Sequence, residues 1–186
     1  MDYKIVDNFL EEEYFNFLVT LVTGAGGDRA STSLNWNDNA LAWGFQPTTN
    51  PPAAENPKAV FSSPIDPLIF HMTHMFYDDN LPCSPHLEKM WKLFTELKVM
   101  ALIRVKGNLY PMTHKLYEHE IHNDYEHSHK GAILYINSCD GYTKLEDGTK
   151  VDSVANRVLL FDPSTKHCST TTTNASARFN ININYF

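Results

Sequence analysis

The chain has 186 residues, 42% of them hydrophobic and 12% aromatic, which supports one folded domain with its own core and excludes a disordered chain. Fifteen Lys and Arg against 22 Asp and Glu give a formal net charge of -7, which argues against an electrostatic nucleic-acid binder. No apolar run approaches the roughly 20 residues that span a bilayer, and the charged start Met1-Asp2-Tyr3-Lys4 is not a signal peptide. A cytoplasmic protein, neither secreted nor membrane-bound, is expected.

In chain order, Tyr3 to Val6 reads as a short strand. Asp7 or Asn8 then caps a helix that carries Tyr14, Phe17, Leu18 and Leu21 along one face, and Gly24-Ala25-Gly26-Gly27 ends it. Ser31 to Phe45 sets Trp36, Trp43 and Phe45 among Asn and Asp and reads as a hairpin beside the main sheet. Pro47, Pro51, Pro52, Pro57 and Pro64 mark a long loop after it. Asp66-Pro67 predicts a helix start, with the helix running to about Tyr77 and Leu68, Met72, Met75 and Phe76 facing inward. His71 and His74 would lie three apart on that helix with no third ligand evident, so ordinary surface or core-edge roles are expected. Ser84-Pro85 predicts a further helix, buried along Leu87, Met90, Trp91, Phe94 and Leu97.

From Val99 onward the apolar period becomes two. Strands are predicted at 99–105, 108–111, 115–122, 131–137, 142–145, 149–152, 157–161, 167–172 and 177–185. The turn signals between them include Lys106-Gly107-Asn108, Asp140-Gly141, Asp147-Gly148 and Asp162-Pro163. Many short strands predict an α+β, mainly β, sandwich or jelly roll, with the preceding amphipathic helices packed on its major sheet. The expected organisation is one domain over 1–186, in which 1–98 supply helical support and substrate-side loops and 99–186 the jelly-roll core.

The strongest chemical signal is His122-Asn123-Asp124, followed by His167 and Arg178. On a strand, His122 and Asp124 share a face, so an imidazole and a carboxylate aim at one spot. A second imidazole from His167 completes two His and one carboxylate, a set that leaves metal positions open and suits non-haem Fe(II). In Ala177 to Phe186, alternation sets Arg178, Asn180, Asn182 and Asn184 on one face and Phe179, Ile181 and Ile183 on the other. An arginine on the polar face of a buried strand calls for an anion, and its planar fork fits a carboxylate. The other histidines read more plainly. His119 faces away from His122, His127 and His129 are loop residues near the site, and His114 faces solvent. The odd count of three cysteines, Cys83, Cys139 and Cys168, without CxxC, fits free thiols, with Cys168 in the core rather than on the metal.

From about Leu102 to Phe186 the chain resembles the 2-oxoglutarate/Fe(II)-dependent dioxygenases, in particular the prolyl 4-hydroxylase-like branch and its short stand-alone members found in marine phages. The matching residues are Arg104, Asn108-Leu109-Tyr110, His122 and Asp124, Leu134 to Asn137, Gly141-Tyr142-Thr143, Asp147-Gly148, Asn156 to Phe161, His167 and Arg178. The resemblance implies a double-stranded β-helix and assigns His122, Asp124 and His167 as Fe(II) ligands. It gives Arg178 as the partner of the distal carboxylate of 2-oxoglutarate, shared with the Tyr135 hydroxyl, and puts Tyr110 and Asn108 in the same pocket. It further implies O2 as oxidant, ascorbate as auxiliary reductant, release of succinate and CO2, and, for a phage-encoded protein, the host cytoplasm. Arg178 stands where many collagen-type enzymes have lysine, and Asn184 where some relatives have tryptophan.

The leading expectation is hydroxylation of a prolyl residue in a peptide or protein, with residues 31–46 and 125–130 as substrate lips. The same chemistry on a free amino acid or another small molecule is the alternative. A cupin-like module that binds metal or acid without turnover, or a zinc hydrolase on the same ligands, are the competing classes. Nucleic acid and membrane partners are not expected.

Overall fold

The computed structural model describes residues 2–24, 41–46 and 70–186. Its organising strand is the C-terminal one, whose strict alternation of Asn with Ile and Phe needs one polar and one apolar surface at once. The strands in chain order are β1 (Tyr3–Val6), β2 (Gly44–Gln46), β3 (His71–Asp78), β4 (Leu81–Pro82), β5 (Leu102–Pro111), β6 (Lys130–Tyr135) and β7 (Tyr142–Leu145). They continue with β8 (Lys150–Asp152), β9 (Val158–Phe161), β10 (His167–Ser169) and β11 (Ala177–Tyr185). The helices are α1 (Glu12–Thr23) and α2 (Trp91–Glu96), the latter continuing a 3-10 turn at Leu87–Met90.

A large antiparallel sheet runs β1-β9-β6-β11-β5-β3-β2, with β4 joined to β3, and a second sheet runs β10-β7-β8. Among the described residues the architecture is therefore mainly β, with two antiparallel sheets and few helices. On one side of the large sheet, Val105, Ala132, Leu134, Val158, Ile181 and Ile183 pack with Leu18, Leu21 and Val22 of α1 and Leu93 of α2. On the other side, Ile133, Tyr135, Leu159 and Phe161 meet Leu145 and Val151 of the small sheet. Period-two alternation in β6 and β9 feeds both clusters.

Several expectations are corrected. The segment read as a helix after Asp66-Pro67 is strand β3 over its described part. It hydrogen-bonds to β2 on one side and β5 on the other, and Thr73, Phe76 and Tyr77 suit a strand. Of the expected inward residues that are described, Phe76 is fully buried, whereas Met72 and Met75 are half-buried. Residues 66–69 lie outside the described residues.

Lys106-Gly107-Asn108 is not a turn, because β5 is continuous through it. Any Cβ at Gly107 would meet the Trp43 indole at 3.4 Å and Phe76 at 3.5 Å, so this glycine serves close packing. Residues 115–122 form no strand; they meet their neighbours through isolated bridges, Glu118 to Thr170 and His122 to His167, and through single hydrogen bonds such as the His119 amide to the Ser169 carbonyl at 2.9 Å. The strand expected at 167–172 stops at Ser169.

Helix α1 begins later than expected and buries Phe15 while leaving Phe17 exposed. Its end is as expected, with Gly24 left-handed at φ 67°. Around α2 the buried residues are Met90, Leu93 and Leu97, whereas Trp91 is 60% exposed. Of the hairpin expected at Ser31 to Phe45, residues 31–40 lie outside the described residues, and Gly44–Gln46 is a strand on β3. The described part of residues 1–98 thus supplies strands β1 to β4 as well as helices.

Candidate active site

Strands β5 and β11 pair directly, so their side chains form rows across one face: Tyr110 with Arg178, Asn108 with Asn180, Lys106 with Asn182, and Arg104 with Asn184. This polar face looks toward the small sheet. His167 at the start of β10 bridges His122 backbone to backbone, at 2.9 and 2.8 Å, and so fixes the loop that carries His122 and Asp124. The Asp124 amide donates to the Pro163 carbonyl at 2.9 Å. The two residues converge as expected, but through this loop rather than through a regular strand.

The ligand atoms of His122, Asp124 and His167 lie within 4.8 Å of one another. His122 Nδ1 donates to the Glu120 carbonyl and His167 Nδ1 to the Thr165 carbonyl, each at 3.0 Å, which leaves both Nε2 lone pairs for a cation. Burial pushes His167 below its ordinary value, partly opposed by Asp124, and so favours the neutral imidazole that a metal needs. Burial would raise the Asp124 carboxyl, but Arg104, His167 and Lys106, with an amide bond from Asn184, hold it well below the usual carboxylate range. Two imidazoles and one ionised carboxylate, open on one side, fit a catalytic divalent metal such as Fe(II).

The carboxylate is held by several donors. Arg104 Nη2 sits 2.8 Å from Asp124 Oδ1, and the Asn182 and Asn184 side-chain amides donate to Oδ2 at 3.2 and 3.1 Å. Asn184 in turn accepts from His129 Nε2 at 2.8 Å. His129 is therefore a buried support behind Asp124, not an open loop residue, whereas His127 is exposed. Tyr125, whose ring lies 5.3 Å from the Arg104 guanidinium carbon, and His127 border a cleft with Asp78, Asp79 and Phe186.

At the other end of the face Arg178 is 0% exposed. It donates to Thr143 Oγ1 at 3.1 Å and to the Thr170 carbonyl at 3.3 Å, while its Nε has no partner. No carboxylate forms an ion pair with it among the described residues. Tyr135, fully buried, donates its hydroxyl to the same Thr143 oxygen at 2.8 Å. The guanidinium carbon stands 5.4 Å from the Tyr110 ring and 5.5 Å from the Tyr135 ring. Gly141 makes room for it, since a Cβ there would come within 2.6 Å of Arg178 Cδ.

Asn108 lines the pocket and donates to Asn180 at 2.9 Å, leaving its own Oδ1 bare. Tyr110 is stacked between His71 at 5.4 Å and His119 at 5.0 Å. His71 Nδ1 and His119 Nε2 are also buried without partners. A buried cation without a counter-charge, among bare donors and acceptors, is the signature of a polar anionic ligand's pocket.

Of the sequence-predicted residues, His122, Asp124 and His167 converge, Asn108 and Tyr110 line the same pocket, and Arg178 and Tyr135 stand together on Thr143 at the other end of the face. His119 stays off the metal cluster, as expected, and Cys168 is buried on β10; all three cysteines are free. His71 and His74 do not share a site. His71 faces Tyr110, while His74 bonds the Ala42 carbonyl at 2.7 Å and Ser84 Oγ at 2.8 Å on the opposite face. Sequence reasoning missed Lys106, Thr143, Asn182 and the support role of His129. Lys106 was within reach: alternation from Arg104 to Tyr110 puts it on the site face once Gly107 is read as strand.

No protein-family model matches the sequence, and no curated protein matches it. Solved structures do. The chain is similar to a Pseudomonas putida prolyl-4-hydroxylase at TM-score 0.57 and 14% identity, covering 98% of this chain and 91% of that one. It is similar to a Paramecium bursaria Chlorella virus-1 collagen prolyl hydroxylase, solved as a 2OG complex, at 0.56 and 12%, covering 98% and 94%. A Trichoplax adhaerens prolyl hydroxylase, solved with a hypoxia inducible factor peptide, aligns at 0.57 and 14%, covering 99% and 83%. The fold is that of the 2-oxoglutarate/Fe(II) oxygenases, in the form shared by prolyl hydroxylases.

Proposed function

We propose that this protein is an Fe(II)- and 2-oxoglutarate-dependent dioxygenase that hydroxylates a prolyl residue in a peptide or protein. One observation carries the chemistry: a fully buried Arg178 with no carboxylate partner among the described residues, on the same sheet face as a convergent His122, Asp124 and His167. An uncompensated buried guanidinium is costly unless a ligand supplies the missing anion, and a metal site on the same face fits a ligand with an acid at each end. The two sheets are read as a double-stranded β-helix over one domain, residues 1–186, with the helices as outer support.

In this reading His122, Asp124 and His167 hold Fe(II), which with 2-oxoglutarate and O2 supplies oxidative decarboxylation to succinate and CO2 coupled to substrate hydroxylation. The chain's own part is to orient and to exclude water. Arg178 takes the distal carboxylate, and Thr143 and Tyr135 hold the guanidinium aimed at it. Asn108 and Tyr110 line the passage between the two ends. Arg104, Asn182 and Asn184 keep Asp124 ionised and turned toward the histidines. The apolar layer of Ile133, Leu159 and Phe161 shields the pocket floor.

The prolyl substrate rests on the structural likeness to prolyl hydroxylases from a bacterium, a virus and an animal, the last in complex with a peptide. A cytoplasmic location is part of the proposal; among the described residues no helix is long and apolar enough to cross a membrane. The test is succinate formation from 2-oxoglutarate by Fe(II)-loaded protein, with a panel of proline-containing peptides. Peptide-stimulated turnover with a 16 Da gain on proline is expected. Turnover that only a small molecule stimulates would move the substrate away from peptides, and absence of any turnover with iron bound would overturn the oxygenase.

A further inference from the structure

Lys106 lines the same pocket as the three candidate metal ligands, yet nothing in the reading above uses it. It stands on β5 in the row of Asn182, between the Arg104–Asn184 row and the Asn108–Asn180 row. Asp124 reaches both Asn182 and Asn184, so Lys106 belongs to the metal end of the face. Arg178 lies two rows away, about 14 Å along the strands. Lys106 thus lines the pocket at the metal end, while Arg178 stands beyond Thr143 and Tyr110 at the far end of the same sheet face.

The charges do not balance among the described residues. Asp124 is the pocket's carboxylate, and Arg104 already pairs with it at 2.8 Å. Lys106 makes no hydrogen bond and no ion pair among the described residues; Asp124 and Asp78 act on it only at longer range. Its ammonium is drawn down to about 8, chiefly by burial and then by Arg104, and stays protonated at neutral pH. A lysine kept there for packing alone would put an unpaired positive charge into the pocket, whereas a methionine or leucine would not.

We propose that Lys106 binds the inner carboxylate of 2-oxoglutarate, the one beside the keto group, so that the pocket grips the dicarboxylate at both ends with its own cations. This assignment rests on the 2-oxoglutarate reading given above. It gives the inner acid a positive partner besides the metal, and it makes the pocket select an α-keto acid over a ketone with one acid. The remaining alternative, a carboxylate on the substrate itself, uses the same chemistry from a different source.

The experiment compares two probes by calorimetry on protein loaded with Mn(II) in place of iron, without turnover. One is 2-oxoglutarate. The other is 4-oxopentanoate, which keeps the keto group and distal acid and lacks the inner acid. In Lys106→Met the preference for 2-oxoglutarate over 4-oxopentanoate should fall about tenfold or more, with 4-oxopentanoate affinity unchanged, and Lys106→Arg should restore part of it. Thermal unfolding of each variant separates a lost contact from a lost fold. Unchanged 2-oxoglutarate affinity in Lys106→Met overturns the assignment and returns Lys106 to the substrate side. Equal weakening of both probes overturns it too, because that marks a general loss of field or shape. Wild-type protein that binds neither probe would instead overturn the co-substrate reading itself, so the two failures are distinguishable.

Discussion

The two faces of β5 and β11 are built from the same strands by the same alternation, yet they do opposite work. The face toward α1 and α2 is dry: Val105, Ile181 and Ile183 are all 0% exposed and pack among leucines. The face toward the small sheet carries Arg104, Lys106, Arg178 and a run of asparagines, with several polar atoms left bare. The first face stabilises by removing apolar surface from water. The second forgoes that and keeps two cations, Lys106 and Arg178, that pair with no carboxylate among the described residues. Stability and recognition are therefore separated by the thickness of one sheet, and substitutions on the two sides should fail in different ways.

The largest expected effect comes from the polar side. His167→Ala removes one metal ligand and should abolish iron-dependent succinate formation while the far-ultraviolet circular dichroism stays native; full activity would take His167 out of the site. Arg178→Met should raise the 2-oxoglutarate requirement about 100-fold, read by titration, because the distal acid loses its charged partner. The same variant should be no less stable than wild type without ligand, since it relieves an uncompensated buried charge. A large drop in its urea midpoint would break the contrast between the faces.

On the dry side, Ile183→Ala should cost about 2–5 kcal/mol of stability by urea unfolding and leave the co-substrate requirement near wild type at a temperature where the protein is folded. Gly141→Ala mixes both outcomes. Its Cβ would press on Arg178 Cδ and the Thr171 carbonyl, each 2.6 Å away, so a loss of about 1–3 kcal/mol with a raised 2-oxoglutarate requirement is expected. Wild-type values in both measurements would mean that Arg178 has room to move.

A further expected effect is a pH dependence. Burial, then nearby Lys106, His119 and His122, lowers His71 to about 3; burial, then Arg178 and His122, lowers His119 to about 4. Between the ordinary histidine value and these, the unfolded chain takes up protons that the folded protein refuses. Stability of the ligand-free protein should therefore fall as pH drops from about 6.5 toward 4. Replacing both histidines with phenylalanine should flatten that slope, and an unaltered slope would assign it elsewhere.

How much of this was legible in the sequence depended on whether a residue's partner was local. β11 appears as its alternation predicts, with Arg178 on its polar face, and His122, Asp124 and His167 converge, because each of these signals is a short-range pattern of residue types. β3 was read as a helix because its apolar spacing suits either element, and only its pairing with β2 and β5 decides between them. Gly107 was read as a turn because the ring that needs its missing Cβ, Trp43, comes from a distant segment.

By itself, then, the sequence determined the mainly β class and singled out His122, Asp124, His167 and Arg178 as candidates for a metal and an acid. Tertiary structure alone decided the rest: that His129 stands behind Asp124 through Asn184, that Arg104 guards the same carboxylate, and that Lys106 faces the pocket unpaired. The physical reason is that period and residue type are properties of neighbouring positions. The partner of a buried charge depends on which strands lie side by side, and that is set by packing over the whole chain.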